Sequence, residues 1–251
     1  MGGRLIIFDV GGVLRDSSQA MLEGYRRGFA SVGIAINLSA GEIWHLRGLG
    51  KYNDGRAGTR AILAITRAGI NIEEVLKKEN AEQIVDSLVD AQVSEYDKKD
   101  IDAAYAIYKH FFSSDEARSM IMIYPDVKES IRVLREKGYL LAVFSNASRA
   151  SLERDLADLG LDNFAQILSE EDVRERKPSG EGILKILEAL KVEGKDAYYV
   201  GDAPTDIIAA KNAGVKSIAI TIGMGLQHNL EREMPDYIFG SLTEMCKSLA
   251  H

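Results

Sequence analysis

Four short stretches of this chain carry side chains whose types and spacing could do chemistry. Asp9 stands where the apolar run Leu5-Ile6-Ile7-Phe8 gives way to Val10-Gly11-Gly12. A carboxylate fixed at the end of a buried strand can act as a nucleophile or hold a cation, and the glycines let a substrate approach the backbone. It could equally cap the turn that follows. Ser145 and Asn146 end the apolar run Leu140–Phe144. Their hydroxyl and nearby backbone N–H groups can serve a phosphate oxygen, or simply open a helix near Ser148. Lys177, just before Pro178, can neutralise charge on a transferring phosphoryl group, or stand as a solvated surface lysine. Asp202 and Asp206, in Gly201-Asp202-Ala203-Pro204-Thr205-Asp206, lie about one helical turn apart. Hard oxygen ligands at that spacing suit Mg2+, although an acidic residue in a first helical turn is also a common dipole partner.

The elements that must position these groups are legible as hydrophobic patterns. Short runs rich in β-branched or aromatic residues occur at Leu5–Phe8, Leu140–Phe144, Ala165–Leu168, Ala197–Val200 and Ser217–Ile222, with a weaker one at Tyr237–Phe239. Such runs belong to sheets covered on both faces. From Pro125 onward they alternate with helical patterns at Asp126–Lys137, Ser148–Leu159, Glu181–Leu190 and Thr205–Ala213. Alternation of this kind predicts right-handed βαβ crossovers and an α/β fold with a doubly wound parallel sheet. Between Asp16 and Tyr124 there is no convincing strand. Helical segments are expected near Gln19–Ser31, Ala40–Leu46, Thr59–Ala68, Ile72–Val93 and Lys99–Phe112, separated by polar turns. The expected organisation is a core of residues 1–16 and 124–251, with an inserted helical module of residues 17–123 and junctions at Ser17-Ser18 and Tyr124-Pro125.

Bulk properties narrow the partners. The 251 residues carry a formal net charge of -7, which argues against nucleic acid or an acidic membrane as a partner. No apolar run reaches the ~18 residues of a membrane span, and residues 1–14 lack the layout of a signal peptide. The single Cys246 cannot form an internal disulfide, and suits a partly buried helix position in a cytoplasmic protein.

Taken together, the four stretches resemble the motifs of the haloacid dehalogenase superfamily, in its capped, phosphoglycolate phosphatase-like branch. The first motif of that family is an apolar strand followed by Asp-x-Asp-Gly-Thr/Val-Leu, with Asp16-Ser17 matching a pair found further on. Ser145, Lys177-Pro178, Gly-Asp-x-x-x-Asp and Asn212-Ala213-Gly214 follow in the family's order, each at the carboxyl end of an apolar strand. That rim is where open parallel sheets bind ligands. One position departs: the second Asp of the first motif is Gly11 here.

The resemblance implies a Rossmann-like core with an inserted α-helical cap, and an Mg2+-dependent phosphatase acting on a small phosphorylated metabolite through an aspartyl-phosphate. Asp9 would be the nucleophile, with Ser145 and Lys177 holding phosphate oxygens and Asn146 beside them as a substrate contact. Asp9, the Gly11 carbonyl, Asp202 and Asp206 would hold the metal. The missing Asp normally protonates the leaving group and later activates water, a role worth on the order of 10²–10⁴ in rate. The retained Asp202 speaks against the metal-free dehalogenases, and the absent acid against a phosphomutase.

Two other readings stay open. In Arg47-Gly48-Leu49-Gly50-Lys51-Tyr52, Lys51 resembles the Schiff-base lysine of a phosphonatase, a branch with a small residue where Gly11 sits. The chain could also be a binding protein that has lost efficient turnover. In capped members this loop sets substrate choice, and Trp44, His45, Arg47, Lys51 and Tyr52 are candidates, Arg47 for a carboxylate or second phosphate. Gly223-Met224-Gly225 reads as an exit from a strand. The expected assembly is a monomer or homodimer.

Overall fold

A computed structural model describes residues 4–161 and 163–249. By its internal contacts the chain divides into two compact units, one of residues 1–16 with 123–251 and the other of residues 17–122.

The first unit is built on a six-stranded sheet: β1 (Leu5–Phe8), β2 (Leu140–Phe144), β3 (Gln166–Leu168), β4 (Ala197–Gly201), β5 (Lys216–Ile220) and β6 (Tyr237–Phe239). Spatially the strands run β3-β2-β1-β4-β5-β6 and every neighbouring pair is parallel. Leu5 is in register with Leu140 on one side and Ala197 on the other, so β1 is interior to the sheet. The order reverses at β1, which is the switch point where ligands bind outside the strand ends.

Alternation along β1 explains why helices cover both faces. Ile6 and Phe8 enter a core with Val127, Ile131 and Leu134 of helix Val127–Glu136, Leu152 and Leu156 of helix Arg149–Leu159, and Met245 and Cys246 of helix Leu242–Ser248. Leu5 and Ile7 enter a second core with Ile183 and Ile186 of helix Glu181–Leu190 and with Ala209 and Ala210 of helix Pro204–Ala213. All four β1 side chains are fully buried, each contributing about 1.5–3 kcal/mol of transfer free energy. Cys246 is buried beside the Ser130 carbonyl.

The second unit is helical, with helices Ser18–Ala30, Ala40–Arg47, Gly55–Ala68, Ile72–Leu76, Ala81–Gln92, Lys98–Phe112 and Asp115–Ser119. Ser39 and Glu42 form a capping box, and Asp54 accepts from the N–H groups of Arg56 and Ala57. Tyr25 stacks on Tyr108 with ring centroids 4.2 Å apart, joining the first helix to Lys98–Phe112.

The single helix expected over Ile72–Val93 is two. Leu76 ends one stripe of buried residues, and extending it by four and seven places lands on the exposed Asn80 and Gln83. Ala81, Val85 and Val89 form a separate buried stripe. One straight helix cannot bury both, so the polar Lys77-Lys78-Glu79-Asn80 makes a turn. The only strand-like residues near this unit, among those described, are the two-residue segments Arg15–Asp16 and Met122–Ile123.

Candidate active site

The carboxyl ends of β1, β2 and β4, with the loop before helix Glu181–Leu190, gather four of the expected side chains into one buried cluster. The Asp9 N–H donates to the Val200 carbonyl at 2.9 Å, extending the β1–β4 pairing to the last residue before the turn. Asp9 is thereby aimed beyond the strand and is only 7% exposed. Lys177 Nζ lies 2.9 Å from Asp9 Oδ1 and 2.7 Å from Asp206 Oδ1. It also stands 5.7 Å and 5.5 Å from the ring centroids of Phe144 and Tyr199, within cation–π range. The Tyr199 hydroxyl donates to the Phe144 carbonyl at 2.9 Å, locking the two rings together.

Asp202 and Asp206 play unequal parts. Asp206 accepts at Oδ2 from the N–H groups of Asp202 (3.1 Å) and Ala203 (3.0 Å), and at Oδ1 from Lys177. Both of its oxygens are therefore engaged in holding the turn and the lysine. Asp202 is completely buried, accepts at Oδ2 from the Met224 N–H at 2.6 Å, and its Oδ1 has no hydrogen-bond partner. A buried carboxylate oxygen left in this way costs ~1–3 kcal/mol or more unless something else binds it.

The cluster's electrostatics call for a cation. Carboxylate oxygens of Asp9, Asp202 and Asp206 lie within 4.8 Å of one another. Burial pushes the Asp9 carboxyl up, with Lys177 pulling it down and Asp206 pushing it up. Burial also raises Asp202 well above the carboxylate range, and Asp206 and Asp9 add to the effect. Burial alone would lower Lys177, but Asp206 and Asp9 outweigh it and keep the ammonium charged. Three carboxylates against one ammonium leave two negative charges. Hard oxygen donors and that charge fit one divalent cation.

Two glycines make the packing possible. Gly12 has φ +76°, and a Cβ there would stand 1.8 Å from Asp202 Oδ2. At Gly223 a Cβ would stand 2.2 Å from the same oxygen, while the Gly225 N–H donates to the Asp202 carbonyl at 2.9 Å. The loop Gly223-Met224-Gly225, expected only to leave a strand, is thus the cradle of Asp202. Its signal in the sequence was the paired glycines at the end of a sheet strand. At Gly11, by contrast, a Cβ would meet nothing within 4 Å.

The remaining candidates fall out differently. Ser145 sits at the end of β2, its N–H bonded to the Leu168 carbonyl and its Oγ accepting from the Ala147 N–H at 3.3 Å. Asn146, expected as a substrate contact, is occupied: its amide accepts from the Lys177 N–H and donates to the Lys177 carbonyl. Arg47, expected to meet a substrate anion, is buried inside the helical unit, where Nη1 donates to the Tyr25 hydroxyl at 2.6 Å and Nη2 to the Asn53 carbonyl. Lys51 is exposed and paired with Asp86 at 2.5 Å, whereas a Schiff-base lysine needs a free, desolvated amine.

Residues 58–220 match the haloacid dehalogenase-like hydrolase family. The chain belongs to that family. Among curated haloacid dehalogenase-like relatives, a candidate pyrophosphatase PpaX from Caldanaerobacter subterraneus is 36% identical over 123 residues, 49% of this chain and 56% of that protein. A phosphoglycolate phosphatase from Haemophilus influenzae is 28% identical over 141 residues, 56% of this chain and 63% of that protein. The chain thus spans less than two thirds of the length of either. The fold is shared along the whole chain: a candidate phosphoglycolate phosphatase from Lactobacillus delbrueckii superposes with a TM-score of 0.80 at 22% identity, covering 99% of both chains. No described helix is long and apolar enough to cross a membrane.

Proposed function

We propose that this family member is an Mg2+-dependent phosphatase that hydrolyses a small phosphorylated metabolite through an aspartyl-phosphate on Asp9. The observation that carries the reading is Lys177 Nζ standing between Asp9 and Asp206 beside the orphaned Asp202 oxygen. A binding module has no use for a carboxylate so held. Asp9, Asp202 and the Gly11 carbonyl would hold the metal, with Asp206 behind them, and the cation supplies charge neutralisation for the phosphate oxygens when bound.

In the proposed reaction an Asp9 oxygen attacks phosphorus in line and the bond to the leaving oxygen breaks. The Lys177 ammonium meets the charge on the phosphoryl oxygens and restrains the nucleophile, while the Ser145 hydroxyl donates to another of those oxygens. Water then hydrolyses the acyl phosphate and frees Asp9. Because Gly11 carries no side chain, the leaving group departs without an acid at that position, which favours substrates with good leaving groups. The helical unit serves as the cap in this reading, and a cytoplasmic setting accords with a single, buried cysteine. The Lys51–Asp86 ion pair weighs against the phosphonatase alternative.

The test is hydrolysis of p-nitrophenyl phosphate with and without Mg2+, in wild type and Asp9→Asn. Mg2+-dependent turnover lost in Asp9→Asn supports the reading. Equal turnover in both proteins, or none in wild type, overturns it.

A further inference from the structure

Lys177 is gripped through its backbone as well as through its ammonium. Asn146, at the end of β2, accepts from the Lys177 N–H through Oδ1 at 3.0 Å and donates from Nδ2 to the Lys177 carbonyl at 3.3 Å. Asn212, in the last turn of helix Pro204–Ala213, donates from Nδ2 to the Pro178 carbonyl at 2.9 Å. The loop rests directly on the end of that helix, since a Cβ at Gly180 would stand 2.7 Å from the Ala213 nitrogen. The same helix reaches the other end of the lysine, because Asp206 in its first turn bonds Nζ at 2.7 Å.

A lysine ammonium rides on a flexible four-carbon stem, so its position depends on where the backbone is anchored. A primary amide offers one acceptor and a donor group side by side, and here both go to one residue. That two-point contact fixes the translation and the tilt of the Lys177 peptide units together. With its amide committed in this way, Asn146 has little left for a ligand.

We infer that Asn146 and Asn212 are positioning residues for Lys177, holding its backbone so that the ammonium stands between Asp9 and Asp206. Asn146 carries more of the task, because its two bonds are partly buried, whereas the Asn212 bond is exposed to competing water. The kinetic consequence rests on the phosphatase reading; the placement of the lysine does not.

Two measurements test it separately. The first is amine acetylation of the full chain, followed site by site by mass spectrometry. In wild type, Lys177 reacts at least about tenfold more slowly than the exposed Lys51, as its burial against Asp9 and Asp206 requires. Asn146→Ala raises the Lys177 rate severalfold, Asn212→Ala raises it less, and Asn146→Asp falls between wild type and Asn146→Ala because it keeps the acceptor. The rates at Lys185 and Lys216 stay as in wild type. An unchanged Lys177 rate in both alanine variants overturns the inference, as does a rise shared equally by Lys185 and Lys216. If Asn146→Ala does not fold, Asn212→Ala carries the test.

The second is a double-mutant cycle on phosphate hydrolysis. Asn146→Ala lowers kcat about 10–100-fold in the wild-type background, the scale expected when a catalytic group is misplaced by an ångström. In Lys177→Met it costs less than about twofold, because the lysine it positions is gone. An equal cost in both backgrounds would mean that Asn146 meets the substrate itself, and would sink the inference. If wild type hydrolyses no phosphate, the phosphatase reading fails while the acetylation rates still decide the placement of Lys177.

Discussion

The backbone N–H of Met224 donates to Asp202 Oδ2 at 2.6 Å, and the other oxygen of that fully buried carboxylate has no hydrogen-bond partner. One oxygen is thus fixed by the loop after β5, and the other is presented to the space it shares with Asp9. The arrangement yields a prediction about metal binding that does not depend on knowing the substrate.

Saturating Mg2+ should raise the wild-type Tm. At a concentration of ~100 Kd the linkage is about 2.7 kcal/mol, or several degrees for a chain of this size. Asp202→Asn should lose that rise. In chelator its Tm should stay near the wild-type value, because an asparagine keeps the side-chain volume, can still accept from the Met224 N–H, and removes a charge that burial disfavours. Differential scanning calorimetry with Mg2+ and with EDTA checks both statements. A full Mg2+ shift in Asp202→Asn would rule out Asp202 as a ligand.

Neighbouring glycines should respond in opposite ways. Gly11 has open space where a Cβ would go, so Gly11→Asp should fold normally. It should raise kcat/KM on phosphate esters with poor leaving groups by about tenfold or more, by restoring an acid, and change p-nitrophenyl phosphate hydrolysis far less. Gly12→Ala forces a left-handed residue to carry a Cβ 1.8 Å from Asp202 Oδ2. It should destabilise by about 1–3 kcal/mol and abolish turnover. Steady-state kinetics over a leaving-group series, with urea unfolding, separates the two.

Arg47→Met should behave as a structural change. The guanidinium holds the Tyr25 hydroxyl and the Asn53 carbonyl within the helical unit, and its loss removes a bond from the half-buried Asn53 carbonyl and leaves the buried Tyr25 hydroxyl only a 3.5 Å contact to the Gly55 carbonyl. The expected cost is about 1–3 kcal/mol of stability. On the folded fraction, kcat/KM should remain within about threefold of wild type. A large rise in KM at unchanged Tm would return Arg47 to the substrate.

Asp97 should give the helical unit a distinctive acid response. Its carboxylate accepts from Arg67 at 2.6 Å and from the Ser94 N–H at 2.8 Å, and the Arg67 bond foremost holds its pKa below the usual range. A group depressed on folding stabilises above its unfolded pKa of about 3.9, and that contribution is lost as pH falls through the folded value. Wild type should therefore exceed Asp97→Asn in stability at pH 7, and the two Tm curves should converge as pH falls below about 4. Parallel curves down to pH 2 would show that Asp97 carries no such linkage.

The parallel sheet was legible because its strands are continuous apolar runs, and Asp9 and Asp202 because each ends such a run, whereas Lys177, nine positions past Leu168 in a charged stretch, and Asp206 stood out only through the family resemblance. Sequence position could not show how the polar atoms would be shared out. Asn146 and Asp206 resemble ligands in a linear reading, yet their oxygens and amide are taken up by Lys177 and the backbone. Arg47 reads as a loop cation, and its burial depends on Tyr25, 22 positions away. The Asp202 cradle was hidden for the same reason, since Met224 lies 22 positions beyond the residue it holds.

The interior place of β1 also has a consequence for how the chain is made. Leu5 pairs with Leu140 and with Ala197, so the first apolar strand leaves the ribosome long before either neighbour. The helical unit of residues 17–122 is synthesised during that interval. Until β2 and β4 are synthesised, Leu5–Phe8 is an uncovered strand of the kind that aggregates or recruits chaperones. The geometry that places Asp9 at the middle of the sheet therefore makes its strand among the last parts of the protein to be sheltered during synthesis.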